Sequence, residues 1–154
     1  VSCRYGLPGE PGGHRRNHRG STVSKGRSLS RLLAVTWSAP TTFVGILAAL
    51  ASASLPSPSN GILLSTSSRG FARWFLSRRG YCAITLGHLV IMTPDAPPEI
   101  ISHERVHVRQ CEHWGPFFIP AYLLATLAIR IRGGNPYWDN PFEVEARRQS
   151  SSTT

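Results

Sequence analysis

From Leu32 to Ser68 the chain carries no charged side chain. So long a run restricts the fold, because apolar surface on this scale must be covered by protein or by lipid. Within it, Leu32–Leu55 is made of apolar, small and hydroxylated residues and includes Trp37. A bilayer span needs about 20 such residues, so the segment is long enough to cross a membrane. Pro40 interrupts its helical pattern, and Ser38, Thr41, Thr42, Ser52 and Ser54 dilute its hydrophobicity. Two other readings therefore stand beside the span. Basic residues, an apolar run and Ala51-Ser52-Ala53 as an A-x-A site are the parts of a secretory signal. The same run also suits a helix that packs on the following domain or lies in the membrane surface. Lys25, Arg27 and Arg31 precede it, and Arg69, Arg73, Arg78 and Arg79 follow it, so flanking positive charge does not fix an orientation.

Residues 1–31 are rich in Gly, Ser and Arg and have no periodic apolar pattern. They hold 7 of the 17 Lys+Arg and one acid, Glu10, so most of the formal net charge of +9 lies in this segment. Such a composition predicts a disordered basic tail. A basic arm could touch anionic lipid or nucleic acid. No interleaved aromatics or base-reading motif accompany it, so nucleic-acid recognition is not expected. The chain begins with Val1, as a fragment, a processed chain or the product of an alternative start codon would. The expected organisation is a tail over 1–31, an apolar helix or anchor over 32–55, one domain over 56–149 and a short disordered end over 150–154.

Pro56-Ser57-Pro58-Ser59-Asn60-Gly61 reads as a turn or short linker. Ile62–Thr66 and Tyr81–Met92 have strand composition. Arg79-Gly80 suits a turn before the second strand, and Gly87-His88 marks a bend or tight hairpin within it. Pro97 and Pro98 suit the start of a helix predicted over about 98–113, since a missing N–H costs nothing in the first turn. Glu99 favours the positive end of the helix dipole, and Gly115-Pro116 is a stop signal. Pro116–Ile129 is a further apolar stretch, whose length fits core packing or an interfacial segment better than a span. Asn140 as N-cap and Pro141 at the first helical position begin a last helix. Cys3, Cys82 and Cys111 match no zinc-ribbon or CxxC spacing, and Cys82 and Cys111 read as small buried hydrophobes.

His103-Glu104-Arg105-Val106-His107 falls inside the helix predicted over about 98–113 and reads as HExxH. Residues four apart share a helix face, so His103 and His107 can aim two imidazole nitrogens at one point. That is half of an open, tetrahedral Zn²⁺ site. Glu104, about 100° around the helix, can reach a water at the open position without ligating, as a general base does. A third ligand is sought in Asp139-Asn140-Pro141-Phe142-Glu143-Val144-Glu145-Ala146-Arg147. Glu143 and Glu145 are two apart and point to different sides of a helix, so at most one should bind metal. Glu143 also falls where a glutamate can close a capping box on Asn140. His88 and Tyr137 are candidate donors to a transition state. His88 also suits a structural, hydrogen-bonded role, and His113 fits the histidine face poorly.

HERVH followed by E-V-E-A-R resembles the gluzincin branch of the zincin metallopeptidases. Its membrane members include the CAAX prenyl protease and β-lactam sensor peptidase families, in which a second motif, E-x-x-A-D or E-x-x-C-D, opens with the third ligand. The matching residue here is Glu143, with Glu145 as the alternative. Arg147 stands where those families place an aspartate that orients a ligating histidine. The whole also resembles small bacterial proteins that carry both motifs after an apolar segment. The resemblance implies an α+β, minimal zincin-like domain, with a short sheet or hairpin packed on the HExxH helix and one or two further helices. It implies zinc-dependent hydrolysis of a peptide or protein substrate, with extended substrate pairing along a strand in Tyr81–Met92. The expected location is a bacterial inner membrane, with a soluble cytoplasmic protein as the alternative. A catalytically silent metal-binding sensor or scaffold, and a membrane protein with a coincidental HExxH, are the competing functions.

Overall fold

Four consecutive apolar residues, Leu89-Val90-Ile91-Met92, read as a strand covered on both faces. The computed structural model describes residues 25–152, and in it this strand lies inside a four-stranded sheet. In chain order the elements are α1 (Lys25–Ala51), β1 (Ser57–Ser59), β2 (Ile62–Thr66), α2 (Gly70–Arg79), β3 (Ala83–Leu86), β4 (Leu89–Met92) and α3 (Ile100–Trp114). A 3-10 turn (Gly115–Phe117), α4 (Phe118–Ile131), a short α5 (Pro136–Asp139) and α6 (Pro141–Ser151) follow. The strand order is β1-β2-β4-β3. β2 and β4 run parallel, and the two outer pairs are antiparallel. The α+β class expected from sequence is the class observed.

Alternation along β4 builds the two cores, because successive side chains point to opposite faces. Leu89 and Ile91 pack with Ala49 of α1 and with Ala72 and Leu76 of α2. Val90 packs with Ile62, Cys82 and Ala83, and with Ile100 and Val108 of α3. The sheet is thus a middle layer, with α1 and α2 on one side and α3 on the other. α3 in turn packs on α6.

Two turns set the register. Asn60 and Gly61 both have positive φ (48° and 83°), as a two-residue type I′ hairpin requires, and they join β1 to β2. The stretch read as a linker therefore contains a strand. Gly87, with φ of 65°, opens the two-residue connection between β3 and β4. A Cβ at Gly87 would lie 2.1 Å from Thr42 Oγ1 of α1, so only glycine lets the hairpin tip sit this close. The backbone N–H of His88 then donates to Thr42 Oγ1 at 3.0 Å.

Several boundaries differ from expectation. The tail predicted over 1–31 falls outside the described residues up to position 24, but Lys25 already begins α1. α1 also continues through Pro40, where hydroxyls of Ser38, Thr41 and Thr42 bond to carbonyls of the same helix. α6 runs to Ser151, past the end expected at 149. α2 was not expected. Its sequence, GFARWFLSRR, buries only Ala72 and Leu76, so its apolar residues do not read as one clean face. Arg79-Gly80 is its C-terminal cap, with Gly80 left-handed.

α4 carries the largest departure, and it shares its exposure with α1. α1 buries Ser38, Thr41 and Ala49 against the domain, while Phe43, Val44, Leu47 and Leu50 are each more than half exposed. The helix expected to fill the core over Pro116–Ile129 has only Phe118 fully buried. Its Leu123, Leu124, Leu127 and Ile131 are exposed. Leu32–Ala51 and Ile100–Ile131 are each long and apolar enough to cross a membrane.

Candidate metal centre

The helical period of α3 places His103, Glu104 and His107 toward the protein interior, and all three are buried. Burying imidazoles and a carboxylate is costly unless each finds a partner. The partners come from three other elements. His103 Nε2 and His107 Nε2 lie 3.1 Å apart. Glu143, from the first turn of α6, places Oε2 3.3 Å from His103 Nε2 and Oε1 3.5 Å from His107 Nε2. The Tyr122 hydroxyl of α4 donates to Glu143 Oε1 at 2.7 Å. Glu143 Oε2 is buried and accepts no hydrogen bond.

These distances bear on metal binding directly. Donors bonded to zinc at about 2.0–2.1 Å in a tetrahedron stand about 3.3 Å from one another. The separations of 3.1, 3.3 and 3.5 Å are edges of that size. A carboxylate oxygen buried without a donor, beside two ring nitrogens, is what a cation would satisfy. His103, His107 and Glu143 together could hold a metal ion.

The electrostatics point the same way. Burial opposes a charge on His107, but the hydrogen bond and charge of Glu143, with the charge of Glu104, outweigh it and raise the pKa to about 9. Burial pushes the Glu143 carboxyl up, but the imidazoles of His103 and His107 beside it and the hydrogen bond from Tyr122 hold it well below the ordinary carboxylate range. The pocket thus stabilises positive charge beside an ionised Glu143.

Glu104 occupies a separate position on the same wall. Its Oε2 accepts a 2.6 Å hydrogen bond from Thr85 Oγ1 of the edge strand β3. Period-two alternation explains this, since Thr85 shares a face with Ala83, which packs toward α3. A cavity of about 360 Å³ opens here, and Glu104, His107, Tyr122, Tyr137 and Glu143 all line it. That is the size of a small binding cleft.

The other sequence candidates divide. Tyr137 reaches the cavity, and burial raises the pKa of its hydroxyl. His88 lies elsewhere, with Nδ1 3.0 Å from Ser38 Oγ and Nε2 3.0 Å from Glu112 Oε1, joining α1 to α3. Glu145 stands outside the three-residue cluster and accepts from Gln110 Nε2 at 2.8 Å. Asn140 caps α6 by accepting from Phe142 N–H, but its own N–H goes to Pro136 O, so Glu143 closes no capping box on it. Arg147 donates to the carbonyls of Tyr137 and Trp138 and stacks on both rings. It therefore fastens α5 to α6. Cys111 is free and buried, as expected, whereas Cys82, also buried, is disulfide-bonded rather than a plain hydrophobe.

Sequence reasoning missed Thr85, Gln110 and Tyr122. Tyr122 carried a signal. Phe118 and Tyr122 are four apart on one face of an otherwise apolar helix, and a hydroxyl there needs a buried acceptor. Comparison with protein-family models, curated proteins and solved structures finds no match to this chain. The chemistry of the site therefore rests on its own geometry.

Proposed function

We propose that this chain is a zinc-dependent peptidase working at a membrane surface. The observation that carries the reading is the spacing of the ligand atoms of His103, His107 and Glu143, 3.1–3.5 Å, around a carboxylate oxygen with no donor. Two imidazoles, one carboxylate and an adjoining cavity are the donor set of an open zinc site. Its convergence from two helices argues against a coincidental HExxH. Bound zinc would supply Lewis-acid polarisation of the scissile carbonyl. Glu104 takes the proton of the attacking water and returns it to the leaving amine. Thr85 holds that carboxylate in place through the 2.6 Å hydrogen bond. Tyr122 fixes Glu143, and Tyr137 is poised on the cavity wall to donate to the developing oxyanion. The outer edge of β3, with no strand on it among the described residues, lies beside the cavity and suits an extended peptide added as a further strand.

The membrane part of the proposal rests on the exposed apolar faces of α1 and α4. Lipid is the cover that a surface of this kind calls for. The inner face of α1 is committed to the sheet and the hairpin tip, so the helix lies on the membrane with its outer face.

Glu104→Gln tests the reading. The variant is expected to retain zinc and to lose about 10²–10⁴-fold of its activity on fluorogenic peptide libraries. A wild type that binds zinc yet hydrolyses no peptide faster than Glu104→Gln would make the site a silent sensor or scaffold instead.

A further inference from the structure

Gln110 and Glu145 belong to no part of the chemistry assigned so far, yet both are tied to a ligand. Gln110 lies on α3, three residues beyond His107, and is buried. Its Oε1 is 2.8 Å from His107 Nδ1. Its Nε2 donates to Phe142 O at 3.1 Å and to Glu145 Oε2 at 2.8 Å. Glu145 Oε1 accepts in turn from Gln149 Nε2 at 2.8 Å.

The network fixes its own proton positions. A carbonyl and a carboxylate are acceptors, so the group facing both must be the NH₂ of Gln110. Its Oε1 is then left facing His107, and an oxygen there requires a proton on Nδ1. A neutral imidazole protonated at Nδ1 has its lone pair on Nε2. That is the atom 3.1 Å from His103 Nε2 and 3.5 Å from Glu143 Oε1. Arg147, where the resembling families place an orienting aspartate, is occupied with the carbonyls of Tyr137 and Trp138.

We infer that Gln110 and Glu145 form a positioning relay, which holds His107 in the Nδ1–H tautomer and aims its Nε2 lone pair at the metal position. This rests on the metal-centre reading proposed above. It assigns Glu145, the alternative ligand by sequence, to the support of a ligand instead. It also accounts for both glutamates of Glu143-Val144-Glu145. The first faces the two histidines, and the second faces the helix that carries them.

Zinc affinity by chelator competition tests the relay, in a set of variants whose folding is checked by circular dichroism and thermal melting. Losing such a support lowers metal affinity about 10–100-fold. Gln110→Ala is expected at the upper part of that range and Glu145→Ala at the lower. Glu145→Gln keeps a carbonyl that accepts from Gln110 and is expected to stay close to wild type. The double variant should be no weaker than Gln110→Ala alone, since the two residues act in series. Nitrogen-15 spectra of the zinc-loaded protein should show a slowly exchanging proton on His107 Nδ1 in the wild type and a rapidly exchanging one in Gln110→Ala. Wild-type affinity in both alanine variants would overturn the relay and leave the metal centre standing. So would a Glu145→Gln as weak as Glu145→Ala. A wild type that binds no more zinc than His103→Ala/His107→Ala would overturn both. Should Gln110→Ala fail to fold, the Glu145→Ala and Glu145→Gln pair decides alone.

Discussion

The inward side of α3 and the outward side of α1 both invert the usual partition of residues. α3 buries two imidazoles and a carboxylate, whereas α1 exposes Phe43, Val44, Leu47 and Leu50. The two inversions are resolved differently. On α3 the groups compensate one another, through Glu143, Tyr122 and Thr85, and the arrangement leaves one carboxylate oxygen for a cation. On α1 nothing among the described residues covers the outer face. Buried polarity here marks an internal site, and exposed apolarity marks an external surface.

The largest effect should come from removing α1 altogether. A chain starting at Pro56 loses the cover over Leu76, Leu89 and Ile91, and also loses the Thr42 anchor of the hairpin tip. It is expected to aggregate and to show no cooperative unfolding transition, with or without detergent. A soluble truncation that still binds zinc would mean that α1 is only an anchor.

Glu143→Ala breaks the compensation on the α3 side. It leaves His103 and His107 facing a void and the Tyr122 hydroxyl without its acceptor. Removing one partner of a buried ionic group costs about 3 kcal/mol or more. Urea unfolding of the metal-free variant should show a loss of that order, together with loss of zinc retention. Glu145→Ala should cost far less in both assays.

Phe43→Ser/Leu47→Ser addresses the α1 side. Each side chain is more than half exposed, so folding should be little changed. Partition into vesicles should weaken by roughly tenfold per residue, since inserting such a group is worth about 1.5–3 kcal/mol when it is fully covered. Flotation with phosphatidylglycerol-containing vesicles measures this. Unchanged flotation would remove the outer face of α1 from the membrane contact.

The smallest effect is on pH dependence. The metal-free protein gains stability from the raised pKa of His107. That gain is complete below the unfolded value of 6.5 and is lost as pH rises through about 9. Glu143, whose pKa is depressed, contributes above its unfolded value of 4.5, and its share is lost as pH falls below that. Melting temperature with chelator should therefore be highest between about 4.5 and 6.5 and decline toward 9. Saturating zinc should remove much of the alkaline decline, because the metal replaces the proton. Equal alkaline slopes with and without zinc would argue against a shared site.

The legible parts of the fold and site were those set by local rules. Helical period put His103 and His107 on one face, and Asn140-Pro141 announced the start of α6 that delivers Glu143. Gly87-His88 marked the hairpin. The rest depends on distance in space. Tyr122 called for a buried acceptor without naming Glu143, and nothing in Gln110 distinguishes a core residue from a partner of His107 until α4 and α6 are packed on α3. The exposure of α4 was equally hidden. Its composition is that of a core helix, and only the placement of α6 and the sheet shows that no third layer of the described residues covers it. Arg147 was visible as a departure, but its role in fastening α5 needed the carbonyls of Tyr137 and Trp138 beside it.

The most direct test of the central claim is zinc content per chain, measured on purified full-length protein after reconstitution and removal of loose metal. The account predicts one zinc per wild-type chain with nitrogen and oxygen ligands by X-ray absorption, and none in His103→Ala/His107→Ala. Equal zinc in the two proteins, or sulfur ligation in the wild type, would contradict it.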